Sequence, residues 1–482
     1  MDLKQPNDNR AETYCNERRA HWDRVARQSD TWKGLNGYYH RRMAEIYRFL
    51  VPPGQRVLEL GCAQGDLLAA VEPAYGVGVD FSGEMVARAI KRHPTLNFVQ
   101  ADAHECPLQE TFAVVILSDL LNDVCDVQTV LEQIRQVTSS HSRIIINSYS
   151  RLWELPLTLA EKLGLAKPTL YQNWLTVEDI AGLLYLAGFE MIRTWPEIIW
   201  PLRTPLLDGF LNKFMVKLWP FSYLALTNMI VARPQPLPSE KEVEPRVTVV
   251  VPARNEAGNI LQIMARVPEM GTGTEIIFVE GHSRDNTYEA IEAAIACYPE
   301  RNCKLFRQSG MGKGDAVRLG YNQASGDILM ILDADLTVPP EDLPRFFLAL
   351  VSGKGDFANG VRLVYPMEKE AMRFFNLLGN KFFSLAFSWL LGQPIKDTLC
   401  GTKVLWKADY ERIAANRAYF GNFDPFGDFD LLFGAARLNL KIIDLPIRYR
   451  ERTYGTSNIQ RWKHGCLLLK MVTFAASRIK FI

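Results

Sequence analysis

Short apolar runs that stop at charged or glycine-containing turns recur along the chain. They fall into two series, one opening with RVLELG at 56–61 and the other with RVTVVVPA at 246–253. Within each series the runs alternate with periodic segments of helical length. That alternation predicts two α/β domains, each with a mostly parallel sheet. Between the series lies Pro234–Pro245, where prolines and alternating charges preclude a core element and read as a linker. The expected organisation is a helical lead-in over 1–36, a first domain over 37–233, the linker 234–245 and a second domain over 246–482. No internal repeat or low-complexity tract interrupts it.

Two longer apolar stretches break the pattern. Phe374–Gly392 is interrupted by Asn376, Asn380 and Lys381, and Gly465–Ile482 by Lys470, Arg478 and Lys480. Neither reads as a bilayer span; both suit the headgroup boundary of an anionic leaflet. Phe374, Leu377, Leu378, Phe382, Leu385, Phe387 and Trp389 would form the apolar face of the first. The stretch Trp195–Phe221, rich in Trp, Pro and Leu, reads as core packing, with a cap over an acceptor pocket as the alternative.

Composition narrows the function classes. The chain has 482 residues, 48% of them apolar, and a net charge of +1, so it gives no electrostatic footprint for nucleic acid. Its eight cysteines (15, 62, 106, 125, 297, 303, 400 and 466) include no CxxC pair. That scatter predicts reduced thiols in a cytoplasmic setting, with neither a disulfide frame nor a zinc site. The polar start, MDLKQPNDNRAETYC, predicts no signal peptide.

The chemistry sits where the apolar runs stop. In the first half, Leu58-Glu59-Leu60-Gly61-Cys62-Ala63-Gln64-Gly65-Asp66 runs from strand through a glycine turn into a helix, a place where backbone N–H groups approach a ligand. Three later strands end in acids: Val77–Asp80, Asn97–Asp102 and Ala113–Asp119. An acid such as Asp80 can accept hydrogen bonds from both ribose hydroxyls. The stretch Trp174–Phe189 reads as a further helix followed by a strand.

In the second half, Val249–Glu256 and Glu275–Glu280 are strands with polar ends, and Gly310–Arg318 joins a lysine to a helix start. The apolar run Ile328–Leu332 then ends in Asp333 and Asp335. In an extended chain that spacing puts both carboxylates on one face, where they repel unless a positive charge lies between them. Asp397–Lys403, Phe426–Leu432 and Arg448–Ser457 follow.

The first half resembles the class I S-adenosylmethionine-dependent methyltransferases, which have a Rossmann-like fold. The resemblance implies that Glu59, Gly61 and Gly65 belong to the cofactor loop, Asp80 holds the ribose, and Asp102 and Ala103 face the adenine. Ser118 and Asp119 would lie near the methyl acceptor, with Asp119, Asp123, His104 and Tyr149 open as a base. Those enzymes usually carry glycine where Ala63 stands. His104 and His141 otherwise read as polar surface residues.

The second half resembles the family 2 inverting glycosyltransferases of GT-A fold, especially the dolichyl- and polyprenyl-phosphate sugar transferases. The resemblance implies that Asp333 and Asp335 hold Mg²⁺ or Mn²⁺, with Asp335 catalytic. Pro252, Arg254, Glu256, Glu280, Lys313, Asp333 and Arg452 would bind the nucleotide-sugar. Asp428 would be the general base for a hydroxyl acceptor, with Asp430 in reserve. Arg362 and Arg373 would hold a lipid-phosphate acceptor, although both are also readable as surface ion pairs. Glu280, Gly281 and His282 depart from the Asp-rich pattern of that family, and Asn458 stands after Ser457 where a lysine is common. The whole then reads as a bifunctional transferase that is peripheral to the cytoplasmic membrane face. A non-catalytic first domain is the alternative.

Overall fold

The computed structural model describes residues 8–28, 37–162, 170–236, 244–362, 374–420, 427–450, 452, 454 and 461–482. Arg373, Gly455, Ser457 and Asn458 lie outside them. The chain forms two compact units, residues 1–235 with residue 482, and residues 236–481.

The first unit opens with helices α1 (Asp8–Gln28) and α2 (Gly37–Leu50). Strands β1 (Arg56–Leu60), β2 (Tyr75–Asp80), β3 (Asn97–Gln100), β4 (Phe112–Ser118), β5 (Thr138–Tyr149), β6 (Phe189–Glu197) and β7 (Thr227–Pro234) follow. They form one sheet in the order β3-β2-β1-β4-β5-β7-β6, in which only β7 runs antiparallel to its neighbours. Val57, Leu58 and Leu60 of β1 and Val115–Leu117 of β4 are fully buried, as a sheet covered on both faces requires. Helices α3 (Asp66–Ala70), α4 (Gly83–Arg92) and α5 (Val127–Gln136) supply part of that cover. Ser82 caps α4 by accepting from the Met85 N–H, and Asp126 caps α5 by accepting from the Thr129 N–H.

The second unit repeats the logic. Strands β8 (Val247–Ala253), β9 (Thr274–Glu280), β10 (Asn302–Arg307), β11 (Ile328–Ile331), β12 (Phe357–Val361), β13 (Lys403–Trp406) and β14 (Ile442–Pro446) order as β10-β9-β8-β11-β13-β12-β14. Only β13 is antiparallel to its neighbours. Every residue of β9 and β11 is buried.

In both sheets the strand order reverses beside the first strand, between β1 and β4 and between β8 and β11. Connections leave on opposite faces there, which opens a crevice at the carboxyl ends of those strands. The candidate residues collect at these two places.

Candidate active sites

In the first unit the crevice is a cavity of about 50 Å³ whose walls include Gly61, Asp80, Asp102, Ala103 and His104. Four of the expected cofactor residues therefore meet there. Glu59 and Gly65 are not on the wall. Glu59 is 2% exposed within β1, and its Oε2 has no hydrogen-bond partner. Burial holds its carboxyl well above the usual range, against a bond from the Leu68 backbone.

Asp80 receives the Ala63 N–H on Oδ2 and the Ser82 N–H on Oδ1, each at 2.9 Å. Burial raises its carboxyl to about 6 in spite of those two donors. Each oxygen keeps a lone pair for a further donor. Ala63 makes its bond with φ at +46°, in the left-handed region. This explains the glycine common at that position, since alanine pays a steric cost there.

Helix α1, set apart in the sequence as a lead-in, contributes Tyr14, Cys15 and Arg18 to the same wall. It is tied down at Asp123, which pairs with Arg18 at 3.1 Å and accepts from Trp22 Nε1 at 2.6 Å. A second tie joins Asp23 to Ser82 Oγ. Sequence periodicity gives no sign of these ties, because the partners lie 59 to 105 residues apart.

Of the four residues open as a base, Asp119 and Tyr149 lie deepest, and they are hydrogen-bonded to each other. Tyr39 Oη donates to the two Asp119 oxygens at 2.8 and 3.0 Å, and Asn147 Nδ2 donates to Oδ1. Burial lifts its carboxyl to about 7, against the bonds from Tyr39, Tyr149 and Asn147. His104 is tied to Asp102 through Nδ1 at 2.6 Å, and Asp123 is engaged by α1. The Trp195–Phe221 stretch departs from its expected core role: Leu206, Phe210, Phe214 and Trp219 are all exposed. The segment is short helical turns between β6 and β7, too short to bury every apolar side chain it carries.

In the second unit, Asp333 and Asp335 follow β11 but do not form an extended pair. The chain turns at Ala334–Asp335, and Leu336 has φ at +54°. Each carboxylate instead has its own cation. Lys313 Nζ lies 2.7 Å from Asp333 Oδ1, and Arg452 Nη2 lies 2.6 Å from Asp335 Oδ2. Arg452 also reaches Glu256 Oε1 at 3.1 Å, and Thr337 donates to Asp335 Oδ1 through its N–H and hydroxyl. Burial works against ionisation of Asp333, but Lys313, with Lys403 and Arg362 beyond it, outweighs burial and holds the carboxyl low. Burial lifts Glu256 to about 7, with Arg452 opposing.

Asp428 begins the helix Asp428–Arg437, with Oδ1 3.9 Å from Lys313 Nζ. That oxygen is buried and has no hydrogen-bond partner. Burial raises the Asp428 carboxyl, with Lys313 and Lys403 opposing. Two glycines make this convergence possible. A Cβ on Gly401 would lie 2.0 Å from Asp333 Oδ2 and 2.3 Å from Lys313 Nζ. A Cβ on Gly427 would lie 2.5 Å from Gly314 Cα, so the loop carrying Lys313 and the helix carrying Asp428 could not approach.

Several candidates have other partners. Arg362 is held bidentately by Asp397, at 2.7 and 2.9 Å, so its charge is already matched by a fully buried acid. Asp430 is paired with Arg417 at 2.8 Å, which removes it as a reserve base. Glu280 accepts from the Ser283 N–H at 2.6 Å and so braces its own loop. His282 binds the Gly310 carbonyl at 3.0 Å and ties that loop to the one leading to Lys313. Pro252 lies near the end of β8, and Arg254 is exposed one residue beyond that strand. Lys403 was not singled out in the sequence. It is fully buried, donates to the Cys400 carbonyl, and places its charge beneath Asp333, Asp397 and Asp428.

The helix Phe374–Leu391 presents Phe382, Leu385 and Trp389 outward, while Phe387 is buried against Phe429 and Phe433. The expected apolar face therefore loses Phe387; a residue five positions after Phe382 lies well around the helix from it. Among the described residues no helix is long and apolar enough to cross a membrane.

Two open sheets, each with a charged crevice at its reversal, define a two-domain α/β protein. The family called methyltransferase domain matches residues 52–188, and glycosyl transferase family 2 matches residues 248–404. The chain thus carries an N-terminal methyltransferase domain and a C-terminal family 2 glycosyl transferase domain. It is 28% identical over 221 residues to a dolichol-phosphate mannosyltransferase of Pyrococcus furiosus, covering 45% of this chain and 59% of that one. It is 33% identical over 231 residues to an undecaprenyl-phosphate 4-deoxy-4-formamido-L-arabinose transferase of Pseudomonas aeruginosa, covering 47% and 64%. The chain therefore spans about three-fifths of the length of these curated relatives. An S-adenosylmethionine-dependent methyltransferase structure from Mesorhizobium loti overlaps 42% of the chain and 100% of its own, at 21% identity and a TM-score of 0.32, a likeness too loose to argue from.

Proposed function

We propose that the second unit transfers a sugar, with inversion, from a nucleotide-sugar to a polyprenyl-phosphate-type or glycan acceptor. The first unit transfers a methyl group from S-adenosylmethionine in the same glycoconjugate pathway. The observation that carries this reading is the meeting of Lys313, Asp333, Asp335, Glu256, Arg452 and Asp428 beyond β8 and β11.

Asp333 and Asp335 offer the carboxylate oxygens that a hard divalent cation takes, and they fit one. Each is now held by a cationic side chain that has a phosphate to turn to when a donor arrives. Lys313 and Arg452 exchange carboxylate for diphosphate, and the acids are freed at the same moment. Bound Mg²⁺ or Mn²⁺ would offset the charge of the leaving nucleoside diphosphate. A phosphate acceptor is already anionic and needs no base. A hydroxyl acceptor needs Asp428, whose unpartnered Oδ1 and raised carboxyl suit proton uptake. The exposed Phe382, Leu385 and Trp389, with Lys480 over the Trp389 ring at 5.0 Å, support docking of this unit on a membrane surface.

In the first unit Gly61, Asp80, Asp102 and Ala103 would hold S-adenosylmethionine, whose sulfonium is itself the electrophile. The protein then has only to align the acceptor and, for a hydroxyl, take its proton at Asp119. One observation favours a non-catalytic first unit instead. The cavity beside α1 is about 50 Å³, small against the roughly 300–1,000 Å³ of sites for drug-sized ligands.

Mass spectrometry of products formed from a nucleotide-sugar panel, polyprenyl phosphate and S-adenosylmethionine tests both halves. Glycosylated lipid and a methylated glycan are expected. Bound S-adenosylmethionine without methylated product selects the non-catalytic reading, and absence of any glycosylated product refutes the transferase assignment.

A further inference from the structure

Three residues far apart in sequence meet at the rim of the first unit's cavity. Cys15 comes from α1, His104 from the turn after β3, and Cys125 from the loop before α5. Their ligating atoms all lie within 4.8 Å of one another. We propose that Cys15, His104 and Cys125 form a binding site for a borderline-soft divalent cation of the Zn²⁺ class. The site shares its cavity wall and Asp102 with the cofactor reading, but it holds whether or not methyl transfer does.

Two thiolates and an imidazole suit Zn²⁺ and disfavour the hard cations proposed for the second unit. The distances agree. Cys125 Sγ lies 3.3 Å from His104 Nε2, close to the roughly 3.5 Å that a tetrahedral centre with ordinary Zn–S and Zn–N lengths requires. Only Cys15 must draw in, by at most about 1 Å, within reach of a side-chain rotation.

The histidine's tautomer suits a metal as well. Nδ1 faces Asp102 Oδ1 at 2.6 Å, which fixes the proton on Nδ1 and leaves the Nε2 lone pair toward Cys125. A carboxylate behind a ligating histidine is the usual support of such centres. Asp102 is itself held by the His104 N–H at 3.0 Å. On loading, each thiol gives its proton to water as its sulfur–metal bond forms. The imidazole lends Nε2 and releases the Asp126 N–H that now lies 3.2 Å away, and water fills the fourth position. No electrons change hands. The consequence is a strap that fastens α1 to the two loops forming the cavity rim.

The test uses the untagged full chain, purified reduced, incubated with Zn²⁺ alone, gel-filtered and assayed for metal by mass spectrometry. Co²⁺ in place of Zn²⁺ reports thiolate ligation by its charge-transfer absorption. One retained metal per chain is expected. It is lost in Cys15→Ser and Cys125→Ser, kept in Cys297→Ser, and bound 10–100-fold more weakly in Asp102→Asn. Cys125 is exposed, so its serine variant keeps the fold and its result is decisive. Three results each overturn the proposal: a wild-type chain that retains no metal, a Cys125→Ser chain that retains all of it, or a Cys15–Cys125 disulfide as the only linkage found.

Discussion

Replacing Asp335 by asparagine separates the charge of the second unit's site from its shape. Asparagine keeps an oxygen for the Thr337 N–H and hydroxyl, which now bind Oδ1 at 3.1 and 2.8 Å. The charge on Oδ2 disappears. Arg452 loses a 2.6 Å partner but retains Glu256 at 3.1 Å, so no cation is stranded. A hydrogen bond to a charged group contributes about 1.5–3 kcal/mol. With one partner kept and Arg452 27% exposed, the expected loss of stability is about 1–2 kcal/mol. For a unit of this size that lowers its Tm by roughly 2–8 °C, well inside the stability of a typical domain. Glycosyl transfer should fall far more, by about 100-fold or beyond, because a donor oxygen for the cation is gone. The assay is transfer under Mn²⁺ titration, with calorimetric binding of S-adenosylmethionine to the first unit as the control for an intact chain. Full transfer by the variant, or full wild-type transfer in excess chelator, would refute the reasoning.

Further outcomes follow from the other groups. Asp80 can accept from both ribose hydroxyls with full charge assistance only when ionised, so S-adenosylmethionine affinity should be flat above about pH 7 and fall below its raised value of about 6, by at most about tenfold per unit. Calorimetry at pH 5 and 8 checks the slope, and a flat profile removes Asp80 from the cofactor site; Asp80→Ala should cost at least about tenfold at pH 8. Ala63→Gly relieves about 1–2 kcal/mol of left-handed strain but adds about 0.5–1 kcal/mol of chain entropy, so the denaturant midpoint should hold or rise. A drop of more than about 1 kcal/mol contradicts the strain argument. Asp428→Asn should spare much of the transfer to a lipid phosphate; complete loss, with vesicle binding retained, points to a hydroxyl acceptor.

The strand ends were legible because an apolar run that stops at an acid leaves few structural options. Asp80, Asp102, Asp333 and Asp335 could be placed on that ground alone. What could not be read were pairings across sequence distance. Arg362 meets Asp397 thirty-five residues later, and the pair is buried where the sequence offered only a surface ion pair or an acceptor contact. The Asp333–Asp335 spacing suggested an extended pair, but Leu336 in the left-handed region turns the chain and sends the two carboxylates to different cations. Lys403 was hidden because a buried lysine inside a strand gives no pattern at all. The cysteines looked scattered for the same reason: Cys15 and Cys125 are brought together by α1, whose docking depends on Arg18, Trp22 and Asp23 meeting partners far along the chain.

The position of α1 also bears on how the first unit can be cut. Its sheet begins at Arg56, and a fragment starting at residue 37 would retain α2 and every strand. Such a fragment should fold, yet it would lack Tyr14, Cys15 and Arg18, and its crevice would be a trench open on one side. The minimal folding piece and the minimal binding piece are therefore different lengths of chain. A library of truncations scored on solubility would select the shorter one and discard the wall that α1 supplies.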